Sequence, residues 1–195
     1  MDTLNFAINI KTPSIINNRI LKFCDRIDTL NKPQYIKCLE YRSGEAGKCF
    51  DNVRRYILEF GGEMIVGWNI WIYKNIFIQA ESHAVVETSK LGLVDVSPQK
   101  ENRVLFLKDS GLQNLENPIK SRFEVLTDSE YSKQFVNLLD SIDEKRSISE
   151  EGFYLSQEEL YLYQFLIKKF SEIRKGHEFC PCESGLKFKS CCGRK

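Results

Sequence analysis

Gly47-Lys48-Cys49-Phe50-Asp51-Asn52-Val53-Arg54-Arg55-Tyr56-Ile57 is the stretch from which the fold can be read. Apolar side chains recur at Cys49, Val53, Tyr56, Ile57 and Phe60, the spacing of a single helical face. The spacing predicts a helix over Cys49–Phe60, ended by Gly61-Gly62 as a left-handed cap. That helix starts at a cysteine lying on its packing stripe. The first N–H groups of a helix have no partner within it, and its dipole favours negative charge there. A thiol at that position is drawn toward thiolate, and the same N–H groups can receive an oxyanion.

Downstream the hydrophobic period changes to two. Met64–Trp71, Ile76–Glu81, His83–Thr88, Leu91–Val96 and Val104–Lys108 read as strands on short turns, hence antiparallel. The chain has two histidines, and His83 is the one within a strand. His83 and Asp95 are symmetric about position 89, so a regular hairpin makes them cross-strand partners, with Val85 and Leu93 on the same face against the Cys49 helix. A thiol, an imidazole and a carboxylate on packable faces are the parts of a cysteine nucleophile site: Cys49 to attack, His83 to move the proton, Asp95 to orient the ring. The same residues also fit a plain core, with a buried cysteine and a structural His–Asp pair. Cys24 and Cys38 lack such partners and read as core or surface thiols.

Upstream, Thr3–Ile10 is a candidate edge strand. Pro13–Leu30 reads as a helix, Gln34–Tyr41 as either a short strand or a helical turn, and Arg42–Gly47 as a loop. Beyond the strands, Arg122–Leu126 reads as one more strand. Thr127 with Glu130, and Ser156 with Glu159, are capping-box pairs for two further helices. Trp68, Trp71 and Tyr73 suit core packing or a groove wall.

The chain of 195 residues is 42% hydrophobic and 28% charged, which suits a globular protein with a real core. No segment reads as a signal peptide or as a membrane span of about 20 apolar residues. Seven cysteines without a secretory signal suit the reducing cytoplasm. The net charge of +1 hides an asymmetry: Lys168 to Lys195 holds eight basic and three acidic residues. This basic end could meet nucleic acid or an acidic protein surface.

Within that end, Cys180, Cys182, Cys191 and Cys192 form two close pairs, a donor set for tetrahedral zinc. A disulfide-bonded or unligated cluster is the alternative. Cys180-Pro181-Cys182 through Cys191-Cys192-Gly193 resembles the SEC-C motif, the zinc-binding tail of the SecA translocase. The resemblance implies a structural zinc and docking on protein or nucleic acid, with Lys187, Lys189 and Arg194 as candidate contacts.

The segment from Gly44 to Pro98 in turn resembles the transglutaminase-like branch of papain-like domains. The residues that carry it are Gly47-Lys48-Cys49, Gly61-Gly62-Glu63, Gly67-Trp68, His83-Ala84-Val85-Val86-Glu87 and Val94-Asp95-Val96-Ser97-Pro98. It implies an α+β fold, an antiparallel sheet packed on the Cys-bearing helix, with Cys49, His83 and Asp95 as catalytic residues. The expected layout is a domain over 1–146, a linker and helix over 147–176, and the zinc motif over 177–195. The expected function is cysteine-dependent hydrolysis or acyl transfer on an amide of a protein or peptide. The alternative is an inactive binding or adaptor protein that docks through its basic tail.

Overall fold

A computed structural model describes residues 8, 10–148, 153–171, 177–180, 185–191 and 194. Among the described residues four α-helices and six strands follow in the order α1 (Asn18–Asp25), β1 (Gln34–Cys38), α2 (Cys49–Phe60), β2 (Glu63–Tyr73), β3 (Phe77–Thr88), β4 (Gly92–Asp95), β5 (Arg103–Lys108), β6 (Arg122–Val125), α3 (Glu130–Ile148) and α4 (Gln157–Ser171). The mixed α+β class is as the patterning predicts. The candidate edge strand Thr3–Ile10 lies almost wholly outside the described residues.

The strands are hydrogen-bonded in the order β2-β5-β1-β4-β3-β6, and β2 also pairs with β3, so the sheet closes into a small barrel. It is not all antiparallel, which corrects the expected sheet: β1 runs parallel to β4, with Lys37 opposite Val94 and Cys38 opposite Asp95. The physical reason is chain length. Parallel neighbours need a long crossover, and α2 with the β2–β3 hairpin provides one between β1 and β4. Strand β1 also settles the ambiguous Gln34–Tyr41 segment, because its backbone is held by β5 from Gln34 to Lys37.

Local signals were read with mixed accuracy. Helix α1 starts at Asn18 and not at Pro13, because Asn17 caps it by accepting from the N–H groups of Arg19 and Ile20. Helix α3 starts at Glu130, too late for Thr127 to cap it; the Thr127 hydroxyl bonds the Ser132 hydroxyl at 2.9 Å instead. The second capping box is made in full. Ser156 N–H donates to Glu159 Oε2 at 2.8 Å, and Glu159 N–H to Ser156 Oγ at 3.1 Å.

Two compact units divide the chain. One comprises Thr12–Trp71 and Gln79–Arg122. Its core sets Cys49, Phe50 and Val53 of α2 against Val66, Ala84, Val86, Val94 and Val96. Helix α2 therefore packs on the even-numbered face of β3 and β4, and not on the face of Val85 and Leu93 that hairpin symmetry about residue 89 suggests. The other unit comprises Met1–Lys11, Ile72–Ile78 and Phe123–Lys195. Its core gathers Phe77, Phe135, Leu166 and Phe170 with Cys180 and Cys191. Trp68, Trp71 and Tyr73 are buried, so the strand aromatics pack inside the fold.

Candidate functional site

Cys49 is the first residue of α2. Its position depends on the preceding loop, which is tied to the helix by buried Asn52. Glu45 N–H donates to Asn52 Oδ1 at 2.9 Å, and Asn52 Nδ2 donates to Glu45 O at 2.8 Å and to Ser97 Oγ at 3.2 Å. Arg55 adds an ion pair to Glu45 at 2.7 Å. Gly44 is needed for the close approach: a Cβ there would stand 3.0 Å from Tyr41 O and 3.1 Å from Val96 O. Lys48, at the N-cap, makes no side-chain capping bond. No side chain at the cap therefore occupies the helix's first N–H groups beside Cys49.

His83 comes from β3 and Asp95 from the last position of β4. The ladder pairs Val86 with Val94, Glu87 with Leu93 and Thr88 with Gly92. The hairpin is thus symmetric about residue 90 and not 89. Gly92, at a φ of 66°, closes a three-residue turn that the sequence spacing did not reveal. Continued by one residue, this register sets Asp95 opposite Val85 and makes His83 its diagonal neighbour. That displacement keeps both side chains on one face, whereas a slip of one residue in either strand would have separated them. His83 Nε2 lies 3.0 Å from Asp95 Oδ2, with His83 5% exposed and Asp95 fully buried.

Asp95 has further partners that sequence reasoning missed. Its Oδ1 accepts from Ser97 N–H at 2.8 Å, and its Oδ2 accepts from Gln99 Nε2 at 3.0 Å. Nothing in residue spacing singles out Gln99, which lies in the loop after β4.

The electrostatics are those of an ion pair. Burial alone would lower the pKa of His83, but the Asp95 charge and hydrogen bond, with a hydrogen bond to Cys49, hold it well above 6.5. Burial would likewise raise Asp95, yet the His83 charge and hydrogen bond, the Ser97 N–H and the Gln99 amide keep it below 3.8. Asp95 engages Nε2, so Nδ1 is the ring nitrogen left for the thiol. The structure therefore brings Cys49, His83 and Asp95 together in one unit. Cys24 and Cys38 stand apart from this chemistry: burial pushes each thiol up to about 12.

Asn69 was also not singled out by the sequence. Its side chain is buried, and neither amide atom has a partner among the described residues. It lies two residues before Trp71, which donates through Nε1 to Glu81 at 2.8 Å, and His83 lies two residues after Glu81. Alternation puts Asn69 and His83 on the same face of the β2–β3 hairpin.

The tail cysteines are only partly described. Cys182 and Cys192 lie outside the described residues. Cys180 and Cys191 are buried. Cys180 N–H donates to Leu186 O at 2.8 Å and Phe188 N–H to Glu178 O at 2.7 Å, a short hairpin with Gly185 at a φ of 72° in its turn. Cys191 follows a turn of 3-10 helix over Phe188–Ser190, and its sulfur accepts from Asn75 Nδ2 at 3.5 Å. A sulfur that accepts an amide N–H suits a metal-bound thiolate. Among the described residues no group of three or more candidate metal ligands is present. None of the described helices is long and apolar enough to cross a membrane.

Residues 180–194 match the SEC-C motif. The chain is 28% identical over 103 residues to the protein translocase subunit SecA of Helicobacter pylori, strains G27 and HPAG1. That alignment covers 52% of this chain and 12% of each relative, so the chain spans about an eighth of their length. No solved structure matches.

Proposed function

We propose that the chain is a cysteine-dependent enzyme that hydrolyses an amide of a peptide or protein, or transfers its acyl group. The observation that supports this most is the buried His83–Asp95 pair, in the same compact unit as Cys49 at an uncapped helix start. A protonated imidazole beside a thiol favours the thiolate. Cys49 Sγ attacks the carbonyl carbon, and the oxyanion takes the Cys49 N–H at the head of α2. The C–N bond breaks as His83 gives its proton to the leaving amine. Water then attacks the thioester while His83 takes a proton from it, which releases the acid and restores Cys49. Asp95 holds the ring by Nε2 throughout, and Ser97 and Gln99 hold Asp95. The transglutaminase-like resemblance of Gly44 to Pro98 agrees with these roles.

Cys180, Cys182, Cys191 and Cys192 would hold a zinc ion in the tail. Zinc on four thiolates has no open position, so it ties the tail together and takes no part in the reaction. The match to the SEC-C motif supports a docking role on protein or nucleic acid, through Lys187, Lys189 and Arg194. Cys24, Cys38 and Cys49 as free thiols suit the reducing cytoplasm. The same match favours a second reading, an inactive adaptor that works through its tail alone.

Alkylation by iodoacetamide at pH 7 tests the first reading. Cys49 should react faster than a model thiol, and His83→Ala should slow it sharply. Equal rates in wild type and His83→Ala would leave the adaptor reading in its place.

A further inference from the structure

The loop after β1 and the C-terminal half of α2 line a solvent-open cavity of about 370 Å³. Its wall includes Glu40, Tyr41, Arg42, Tyr56, Glu59 and Phe60. Three rings meet there: Tyr41 stands edge-on to Tyr56 at 5.4 Å and to Phe60 at 6.3 Å, and Tyr56 lies 4.8 Å from Phe60. Phe60 is nevertheless 60% exposed, although the α2 periodicity would place it on the packing stripe. An aromatic ring that leaves part of its surface open presents a negative face to whatever approaches.

The lining holds two carboxylates and one cation, Arg42. Glu59 accepts from the Tyr41 hydroxyl at 3.2 Å, and neither Glu40 nor Glu59 makes an ion pair among the described residues. Arg42 is the one basic residue of the lining. Glu45, a few residues along the same loop, shows what a satisfied carboxylate looks like here. It is paired with Lys48 at 3.0 Å and Arg55 at 2.7 Å, and it does not line the cavity. Two unpaired carboxylates against one guanidinium leave an excess of negative charge beside open ring surface. That combination attracts an alkylammonium, whose stem packs on rings while its charge meets carboxylate.

We propose that this cavity binds the side-chain ammonium of a lysine in the peptide that Cys49 acts on. The peptide-substrate part rests on the enzyme reading above; the binding part does not. Helix geometry sets the spacing. Tyr56 to Phe60 lie seven to eleven residues along α2 from Cys49, about 10–16 Å at 1.5 Å per residue. An extended chain covers that in about three to five residues, which is the separation between the lysine and the scissile amide.

The test uses the full chain carrying Cys49→Ala, so that nothing is cleaved. Its probes are a capped alanine nonapeptide with one central lysine and the same peptide with norleucine, titrated by calorimetry. The lysine peptide should bind at least about tenfold tighter, roughly 1.4 kcal/mol. That preference should vanish in a Glu40→Gln, Glu59→Gln double variant, and Phe60→Ala should weaken lysine binding severalfold. All three positions are at the solvent-exposed rim, so folding is checked by an unchanged melting curve. No binding of the lysine peptide, equal binding of norleucine, or a preference that survives the double variant would each overturn the proposal. The enzyme reading is broken by different data, the iodoacetamide rates of the unsubstituted protein.

Discussion

Cys49 and Cys191 are both 8% exposed, and each belongs to a buried apolar cluster. Their surroundings differ completely. Cys49 starts a helix near an imidazole whose pKa a buried carboxylate raises. Cys191 meets an amide N–H and aromatic rings. Cys24, fully buried with neither kind of partner, has its thiol pushed up to about 12 by burial. Burial therefore says little about what a cysteine does. The polar group facing the sulfur separates a thiol suited to attack from one suited to hold a metal or simply to pack.

The contrast can be broken most forcefully at Cys49. Cys49→Ala should abolish any amidase activity and leave zinc content unchanged, whereas Cys191→Ser should lower zinc by elemental analysis and leave Cys49 alkylation unchanged. If either substitution moves both readouts, the two regions do not act separately. His83→Ala should then slow alkylation up to about 30-fold, the ratio of a full thiolate to the few per cent ionised in a free thiol at pH 7. Asn75→Ala should weaken zinc about 10–100-fold in a competition assay with a chromophoric chelator, as loss of a group bonded to a metal ligand does.

The His83–Asp95 pair makes a prediction about pH. His83 is raised when folded, so its stabilisation is complete below its ordinary 6.5 and is lost as pH rises through the higher folded value. Asp95 is lowered when folded, so its stabilisation is complete above 3.8 and is lost as pH falls through the lower folded value. Both contributions are whole between 3.8 and 6.5. The urea midpoint of the wild type should exceed that of Asp95→Asn most in that window, and the gap should shrink on either side. Asp95→Asn also leaves burial to dominate His83, so its ring should titrate below 6.5 by NMR. The smallest effect expected is at Ser156→Ala, which removes one half of the α4 capping box and should cost about 1 kcal/mol in denaturant unfolding.

Local rules carried the reading wherever the cause was local. The 3.6-residue stripe and Gly61 bounded α2, Ser156 with Glu159 marked the start of α4, and period-two runs found the strands but split β3, which runs unbroken from Phe77 to Thr88. They failed where a competing cap lay nearby, as at Asn17, which starts α1 later than Pro13 suggests. They failed again where contact was non-local. Strand β1 is too short to identify itself, and its pairing with β4 and β5 makes it a strand. The site was legible in part. Cys49, His83 and Asp95 could be picked out by residue type, and the shared parity of His83 and Asp95 survived the error in register, although α2 packs on the opposite face of β3 and β4 from the one expected. Gln99, Asn52 and Asn69 could not, because their relevance lies in what they touch or fail to touch.

The sequence by itself determined which residues can carry chemistry. It holds only two histidines, a cysteine at a helix start, and a paired-cysteine tail, and these are matters of residue type and spacing. Tertiary structure alone decided how they meet. The closure of the sheet, the parallel β1–β4 pairing and the turn at Gly92 are long-range or conformational choices with no local periodicity. They set His83 Nε2 at 3.0 Å from Asp95.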